Sequence, residues 1–157
     1  MRKAIVGLAV LALLVLGPPA AAAASLSVTP SSVDFGPVPV DSQCLVVNDV
    51  PNEFCVTQTL TVTNTGTDTL LFGSASACER ITRGGTCLTR RAGWGGFTGS
   101  TTSTCIFAAL APGDSCMVVL VADPTRRGLI RGLFIMTMSS ITGEAVTVTV
   151  TIRVLGV

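Results

Sequence analysis

The sequence contains no histidine and no tyrosine, and its aromatic residues make up only 4% of the chain. Histidine is the commonest general base in enzymes and is part of the usual Ser-His-Asp and Cys-His arrangements, so its absence excludes those mechanisms. A carboxylate pair could still act in a glycosidase-like reaction, but the acidic residues are scattered through turns and strand ends, where they usually cap turns or face solvent. The sequence therefore predicts a protein that is not an enzyme and that carries no cofactor.

The N terminus has the layout of a secretory signal peptide. Two basic residues precede an uncharged apolar run from Ala4 to Leu16, which is shorter than a membrane-spanning helix. A Gly-Pro-Pro break follows, and then a row of alanines supplies the small side chains that a signal peptidase requires. We expect cleavage after Ala24, which makes residues 1–24 the signal peptide, with an uncleaved N-terminal anchor as the alternative. The mature protein is then secreted, or located in the periplasm or cell envelope, and has no membrane span.

Charged residues are also scarce, at 12% of the chain. Once the predicted signal peptide is removed, the remaining basic residues are all arginines and nearly balance the nine acidic residues. A mature chain close to neutrality has no strong electrostatic attraction to nucleic acids or anionic membranes. We therefore expect no nucleic-acid partner, and the bulk charge does not identify any other partner.

All six cysteines follow the predicted cleavage site. An even number of cysteines in an exported chain is typical of disulfides formed in an oxidising compartment. Six cysteines allow fifteen pairings, and the spacing favours neighbours because each successive pair brackets a short, turn-rich segment. The preferred pairing is Cys44 with Cys55, Cys78 with Cys87, and Cys105 with Cys116. Zinc binding is the alternative, but the sequence has neither a CxxC pair nor a histidine, and therefore lacks the usual ligand spacing.

Several segments show the alternation of apolar and polar residues that is typical of half-buried strands. Residues 57–64 place apolar side chains on one face and threonines on the other, and residues 145–154 repeat this pattern over a longer run. Residues 26–36 alternate around Pro30, which predicts a broken edge strand that changes its partner midway. A proline followed by a glycine at Pro112 and Gly113 predicts a turn.

Three further strands are expected: one begins at Leu70 to Phe72, and the other two lie at Cys116 to Ala122 and at Leu129 to Met138. The second is a compact apolar run, which predicts a strand buried on both sides. Residues 76–104 lose all periodicity and are interpreted as an insertion pinned by cysteines. No helical period follows the signal peptide. The pattern predicts one all-β domain over residues 25–157, an immunoglobulin-like antiparallel β-sandwich of about seven strands.

Four motifs, in this order along the chain, resemble those of bacterial ASH-type domains: Val28 to Gly36, Gln58 to Gly66, Leu110 to Cys116, and Asp123 to Thr125 with Gly128. ASH domains are immunoglobulin-like modules of the Hydin and major-sperm-protein group, and bacterial members are often described as choice-of-anchor D proteins. The resemblance covers most of residues 26–155, apart from two cysteine-bearing insertions at 41–57 and 76–104. It implies a sandwich used as a repeat, spacer or interaction module, without catalytic residues. Family members often occur as tandem repeats, whereas this chain has one copy.

The second insertion contains the residues most suggestive of ligand binding. Guanidinium groups bind phosphate or carboxylate in bidentate fashion, and an exposed indole can stack on a sugar or a base. The candidate ligand-binding residues are Arg80, Arg83, Arg90, Arg91 and Trp94. The alternative is that these arginines are merely solvated and that the tryptophan folds back to cap the edge of the sandwich.

The sequence predicts an exported, non-catalytic module with a structural or protein-interaction role at the cell envelope or outside the cell. The alternative is a recognition domain for an anionic glycan or another envelope polymer, which would bind through residues 80–97. Salt separates the two, since binding through arginines weakens steeply with ionic strength and apolar association persists. A periplasmic pilus chaperone is a weaker hypothesis, because such chaperones have two domains of this kind.

Overall fold

The computed structural model describes residues 23–40, 42–47, 50–78, 80–81, 87–88, 97–98 and 103–157. These residues contain strands and no helix, so this part of the chain has no helix long and apolar enough to span a bilayer. The strands are β1 (Leu26–Thr29), β2 (Ser32–Val38), β3 (Val46–Val47), β4 (Val50–Pro51), β5 (Val56–Asn64), β6 (Leu70–Cys78), β7 (Arg80–Ile81), β8 (Cys87–Leu88), β9 (Phe97–Thr98), β10 (Ala109–Leu110), β11 (Ser115–Ala122), β12 (Gly128–Ser140) and β13 (Ala145–Gly156).

Two sheets pack face to face. The smaller sheet has four strands in the order β1-β5-β11-β9, and the larger sheet has five in the order β10-β6-β12-β13-β2. Two short hairpins, β3-β4 and β7-β8, lie outside these sheets. The predicted all-β immunoglobulin-like sandwich with disulfide-bonded loops is confirmed.

The core lies between the two sheets and follows from the alternation of the strands. In β13, Val148, Val150, Ile152 and Val154 are buried while the threonines between them are exposed. Leu60 and Val62 of β5 meet this layer from the smaller sheet. Each fully buried aliphatic side chain of this kind contributes about 1.5 to 3 kcal/mol relative to an exposed one.

The N-terminal strand changes sheets at Pro30, as the sequence predicts. β1 pairs with β5 in the smaller sheet, and β2 then runs parallel to β13 in the larger sheet. The Thr29–Pro30 peptide bond at the crossover is cis. The two strands therefore connect the sheets covalently at one side of the sandwich, and they leave β2 as an edge strand.

A buried asparagine joins two of the motifs that carry the family resemblance. The Nδ2 atom of Asn64 donates to the carbonyl oxygens of Asp68, at 2.8 Å, and Leu110, at 2.9 Å. Its backbone N–H donates to the carbonyl oxygen of Asp114, and its carbonyl oxygen accepts from the N–H of Gly113. Gly113 has φ +85°, a conformation that glycine adopts without steric cost, so the proline-glycine turn is confirmed.

Two details of the predicted strands are wrong. The first part of the β11 run is not buried on both sides, because Met117 is 51% exposed and the strand alternates as far as Leu120. Val121, which has the same outward position in the alternation, is fully buried, so the prediction holds at the end of this strand. The strand that begins at Leu70 continues to Cys78 and so includes the first residues of the predicted insertion at 76–104, since β6 pairs with β12 over this length. Gly73-Ser-Ala-Ser has low strand propensity, so tertiary pairing rather than local preference sets this conformation.

Candidate interaction surfaces

The predicted ligand-binding residues cannot be assembled into a described site. Arg83, Arg90, Arg91 and Trp94 lie outside the described residues. Of Arg80 the structure describes only the backbone, which pairs with Leu88 in the β7-β8 hairpin. Binding of an anionic ligand through this insertion therefore remains a prediction.

Two of the three predicted disulfides are confirmed. Cys44 bonds to Cys55 with a Cα–Cα distance of 4.6 Å, and Cys105 bonds to Cys116 with a Cα–Cα distance of 5.0 Å. The zinc alternative is wrong for these four cysteines, because a sulfur in a disulfide is not available as a thiolate ligand.

The third predicted disulfide, between Cys78 and Cys87, is described at only one of its two cysteines. Cys78 is also disulfide-bonded, but the side chain of its predicted partner, Cys87, lies outside the described residues, so this pairing stays a prediction. The described part of the chain contains no group of three or more potential metal ligands.

The first disulfide closes a hairpin that is also braced by hydrogen bonds. β3 and β4 form its two strands, and the N–H of Asn52 donates to the carbonyl oxygen of Leu45 at 2.9 Å. The Nδ2 atom of Asn52 donates to the carbonyl oxygen of Gln43 at 2.7 Å, and its Oδ1 atom accepts from the N–H of Phe54 at 3.3 Å. This segment, residues 44–55, is called the apolar hairpin below.

The apolar hairpin presents large hydrophobic side chains to solvent. Leu45, Val47, Val50 and Phe54 are each more than half exposed. The hairpin sequence contains no lysine or arginine, and Glu53 beside Phe54 is exposed. Single exposed apolar residues are ordinary, but several on one short segment are typical of a surface that binds another molecule. The braced backbone holds them in place, which lowers the entropy cost of binding.

A pair of arginines occupies the outer face of the larger sheet. Arg131 of β12 and Arg153 of β13 are directly opposite each other in the antiparallel register. Asp34 of β2 forms an ion pair with Arg153 at 3.6 Å. Within the described residues no ion pair is found for Arg131. The alternation of both strands predicts outward side chains, but only the register shows that the two are neighbours.

The described residues offer apolar side chains on the hairpin and an arginine pair on the outer face of the larger sheet. Binding through surfaces of this kind depends on shape, apolar contact and charge.

Comparisons with known proteins define the class of fold. The ASH/PapD-like domain 7 of human CEP192 is similar over 98% of this chain and 98% of its own length, with a TM-score of 0.58 and 13% sequence identity. The Escherichia coli chaperone DraB is similar over 85% of this chain and 56% of its own length, with a TM-score of 0.50 and 13% identity. The fold is therefore ASH/PapD-like and immunoglobulin-like.

A third similar structure is a protease. The Vibrio cholerae protease VesB matches 84% of this chain but only 31% of its own length, with a TM-score of 0.51 and 18% identity. The chain thus spans less than a third of that protease and little more than half of DraB. At these identities the likeness concerns the fold alone. Neither the protein-family models nor the curated protein sequences that were compared match the chain.

Proposed function

We propose that this protein is an exported, non-catalytic immunoglobulin-like module that binds a protein partner at the cell envelope or outside the cell. The observation that carries the proposal is the apolar hairpin, in which a disulfide holds four exposed apolar side chains on one short segment. Such a surface loses unfavourable contact with water when a partner covers it, and each square ångström buried contributes about 25 cal/mol.

The charge of the hairpin favours a protein partner over a lipid surface. Segments that bind membranes combine apolar side chains with lysines and arginines, which are attracted to anionic headgroups. The sequence from Asp41 to Thr57 has three acidic residues and no basic ones. Anionic lipids would repel this segment, whereas a protein surface with an apolar centre and a neutral or basic rim would complement it.

Export and a non-catalytic role are supported by independent features. The signal-peptide layout of residues 1–24 and the disulfides both fit an oxidising compartment outside the cytoplasm. The absence of histidine fits a module without enzyme activity. A protein partner also fits the likeness of the fold to a chaperone, DraB. Membership of the choice-of-anchor D group is part of the proposal and rests on the sequence motifs.

The proposal is tested by cross-linking the tagged full chain in its own host, where the partner is present. We expect one discrete cross-linked complex with wild-type protein. The double variant Leu45→Ser and Phe54→Ser should reduce the amount of this complex roughly tenfold or more. The complex should persist at high salt, because apolar contacts are not screened. The hairpin side chains are exposed, so the melting temperature should change little.

The matched control removes two other exposed apolar side chains, in the double variant Leu129→Ser and Ile141→Ser. Both residues lie outside the hairpin, and both are at least 45% exposed. The control should retain the complex. Equal loss in both variants, or full retention in the hairpin variant, would contradict the proposed role of the hairpin. A complex with the mass of two copies that the hairpin variant loses would identify a second copy, not another protein, as the partner at the hairpin.

A further inference from the structure

One edge of the larger sheet is only partly covered. β10 pairs with β6 at Leu70 and Leu71 and does not continue further along it. Residues 73–76 of β6, called the open edge below, pair with β12 on one side. On the other side no strand of the described part of the chain pairs with them. The open edge ends where Ala77 becomes buried.

The open edge is accessible on both faces of the sheet. Ser74 and Ser76 point away from the core and are exposed, as expected for outward residues. Ala75 is opposite the buried Met136 and therefore points inward, yet it is exposed too. Side chains on both faces of the sheet are therefore exposed at this edge.

The side chains of the open edge lack the features that usually prevent edge-to-edge association. Native edge strands are commonly blocked by lysine or other charged side chains, by proline, or by a covering loop. Residues 73–76 read Gly-Ser-Ala-Ser, which are small and uncharged. Nothing in this row of side chains opposes a second strand of the same sequence, either by size or by charge.

A strained, fully exposed phenylalanine lies beside the open edge. Phe107 is two residues before Ala109, which pairs with Leu71, so it lies where the chain approaches this edge of β6. It is 99% exposed and has φ +62°, a left-handed conformation that is energetically costly for a residue with a side chain. The turn is held by the buried Cys105, whose carbonyl oxygen accepts from the N–H of Ala108 at 3.1 Å. A contact that buries Phe107 would offset this cost.

We infer that the open edge pairs with the open edge of a second copy of this chain. A strand that pairs antiparallel with itself obeys two-fold symmetry, the commonest symmetry of protein dimers. Pairing centred on Ala75 places Ser74 of one copy opposite Ser76 of the other and joins two five-stranded sheets into one. The uncharged side chains make this pairing free of repulsion, and Phe107 of each copy flanks one end of the new ladder.

The short length of the edge sets the strength of the dimer. A stable interface buries about 800 Å² on each partner, which is more than a few small side chains and one phenylalanine provide. The dimer is therefore weak and dissociates on dilution. This pairing goes beyond the proposed function and does not depend on the apolar hairpin.

Sedimentation velocity of the oxidised mature protein tests the inference. The dimer fraction should rise as the concentration increases to hundreds of micromolar. The double variant Ser74→Lys and Ser76→Lys places like charges opposite each other. It should raise the dissociation constant of the dimer roughly tenfold or more. A monomeric wild type over the whole range, or an undiminished dimer of the lysine variant, would overturn the inference.

Exchanging the charges distinguishes loss of pairing from misfolding of the lysine variant. Ser74→Glu with Ser76→Glu should also be monomeric alone, and mixing it with the lysine variant should restore a heterodimer through opposite charges. The matched control, Thr149→Lys with Thr151→Lys, adds the same charges to exposed positions on β13 of the same sheet and should leave the dimer intact. If the mixture stays monomeric, or if the control dissociates equally, pairing at the open edge is wrong.

Discussion

Asn64 donates from its Nδ2 atom to the carbonyl oxygen of Leu110 at 2.9 Å, and both residues are buried. This hydrogen bond ties the end of β5, in the smaller sheet, to β10, in the larger sheet. A second bond from the same atom holds the carbonyl oxygen of Asp68. The asparagine therefore satisfies two buried carbonyl groups that no water molecule could reach without opening the sandwich.

We expect Asn64→Asp to lower the free energy of unfolding by about 3 kcal/mol, because the carboxylate cannot donate to either carbonyl group and brings a negative charge into the core. Urea unfolding of the purified domain measures the change. Gln58→Glu is the matched control, since it makes the same amide-to-carboxylate change at an exposed position of the same strand. A loss below about 1 kcal/mol for Asn64→Asp would show that the buried amide is not required.

Removing the disulfide of Cys105 and Cys116 should lower the free energy of unfolding by about 3 kcal/mol, the value that the chain-entropy model gives for a loop of this length. The two residues are 11 positions apart in the sequence. The double variant to alanine is compared with wild type by urea unfolding under oxidising conditions. An unchanged midpoint would mean that the turn around Phe107 is held by its hydrogen bonds alone.

The substitution Arg131→Glu should stabilise the domain by about 0.5 kcal/mol, because it replaces a like-charge cross-strand pair by an opposite-charge pair with Arg153. The gain should decrease with added salt, since both side chains are exposed. Thermal melting at low and high ionic strength measures both effects. Arg127→Glu, in the turn before β12, makes the same change in charge outside the sheet and should show no comparable gain.

Export predicts a defined N terminus. Expression of the full chain in a bacterial host with a functioning secretion pathway should yield a periplasmic or secreted product that begins at Ser25. Intact-mass analysis should also find no free thiols, because all six cysteines are expected in disulfides. A product that retains residues 1–24 and sediments with the membrane would support the uncleaved anchor instead.

Strands with strict alternation could be predicted from the sequence, because the pattern itself fixes which side chains face the core. This holds for β5 and β13, and proline chemistry correctly located the crossover at Pro30. The extension of β6 through Gly73-Ser-Ala-Ser could not be predicted, since these residues have no strand preference of their own. Met117 was misassigned because an apolar run does not reveal whether a sheet is covered on one face or both.

The candidate surfaces were less predictable than the fold. Cysteine spacing correctly predicted that Cys44 and Cys55 close a loop, but the apolar residues between them carried no signal for exposure. The pairing of Arg131 with Arg153 depends on strand register, which alternation alone does not specify. Similarly, the open edge of β6 exists because β10 is only two residues long, and no local pattern predicts that length.

Site-specific photo-cross-linking in the native host tests directly whether this protein binds a partner through the apolar hairpin. A photoreactive amino acid replaces Val50 in the apolar hairpin or, as a control that is also exposed, Thr149 on the outer face of the larger sheet. We expect the hairpin position to form an adduct with one other protein outside the cytoplasm, and the control position to form none. No adduct from the hairpin, or the same adduct from both positions, would contradict the claim that this protein binds its partner through the hairpin.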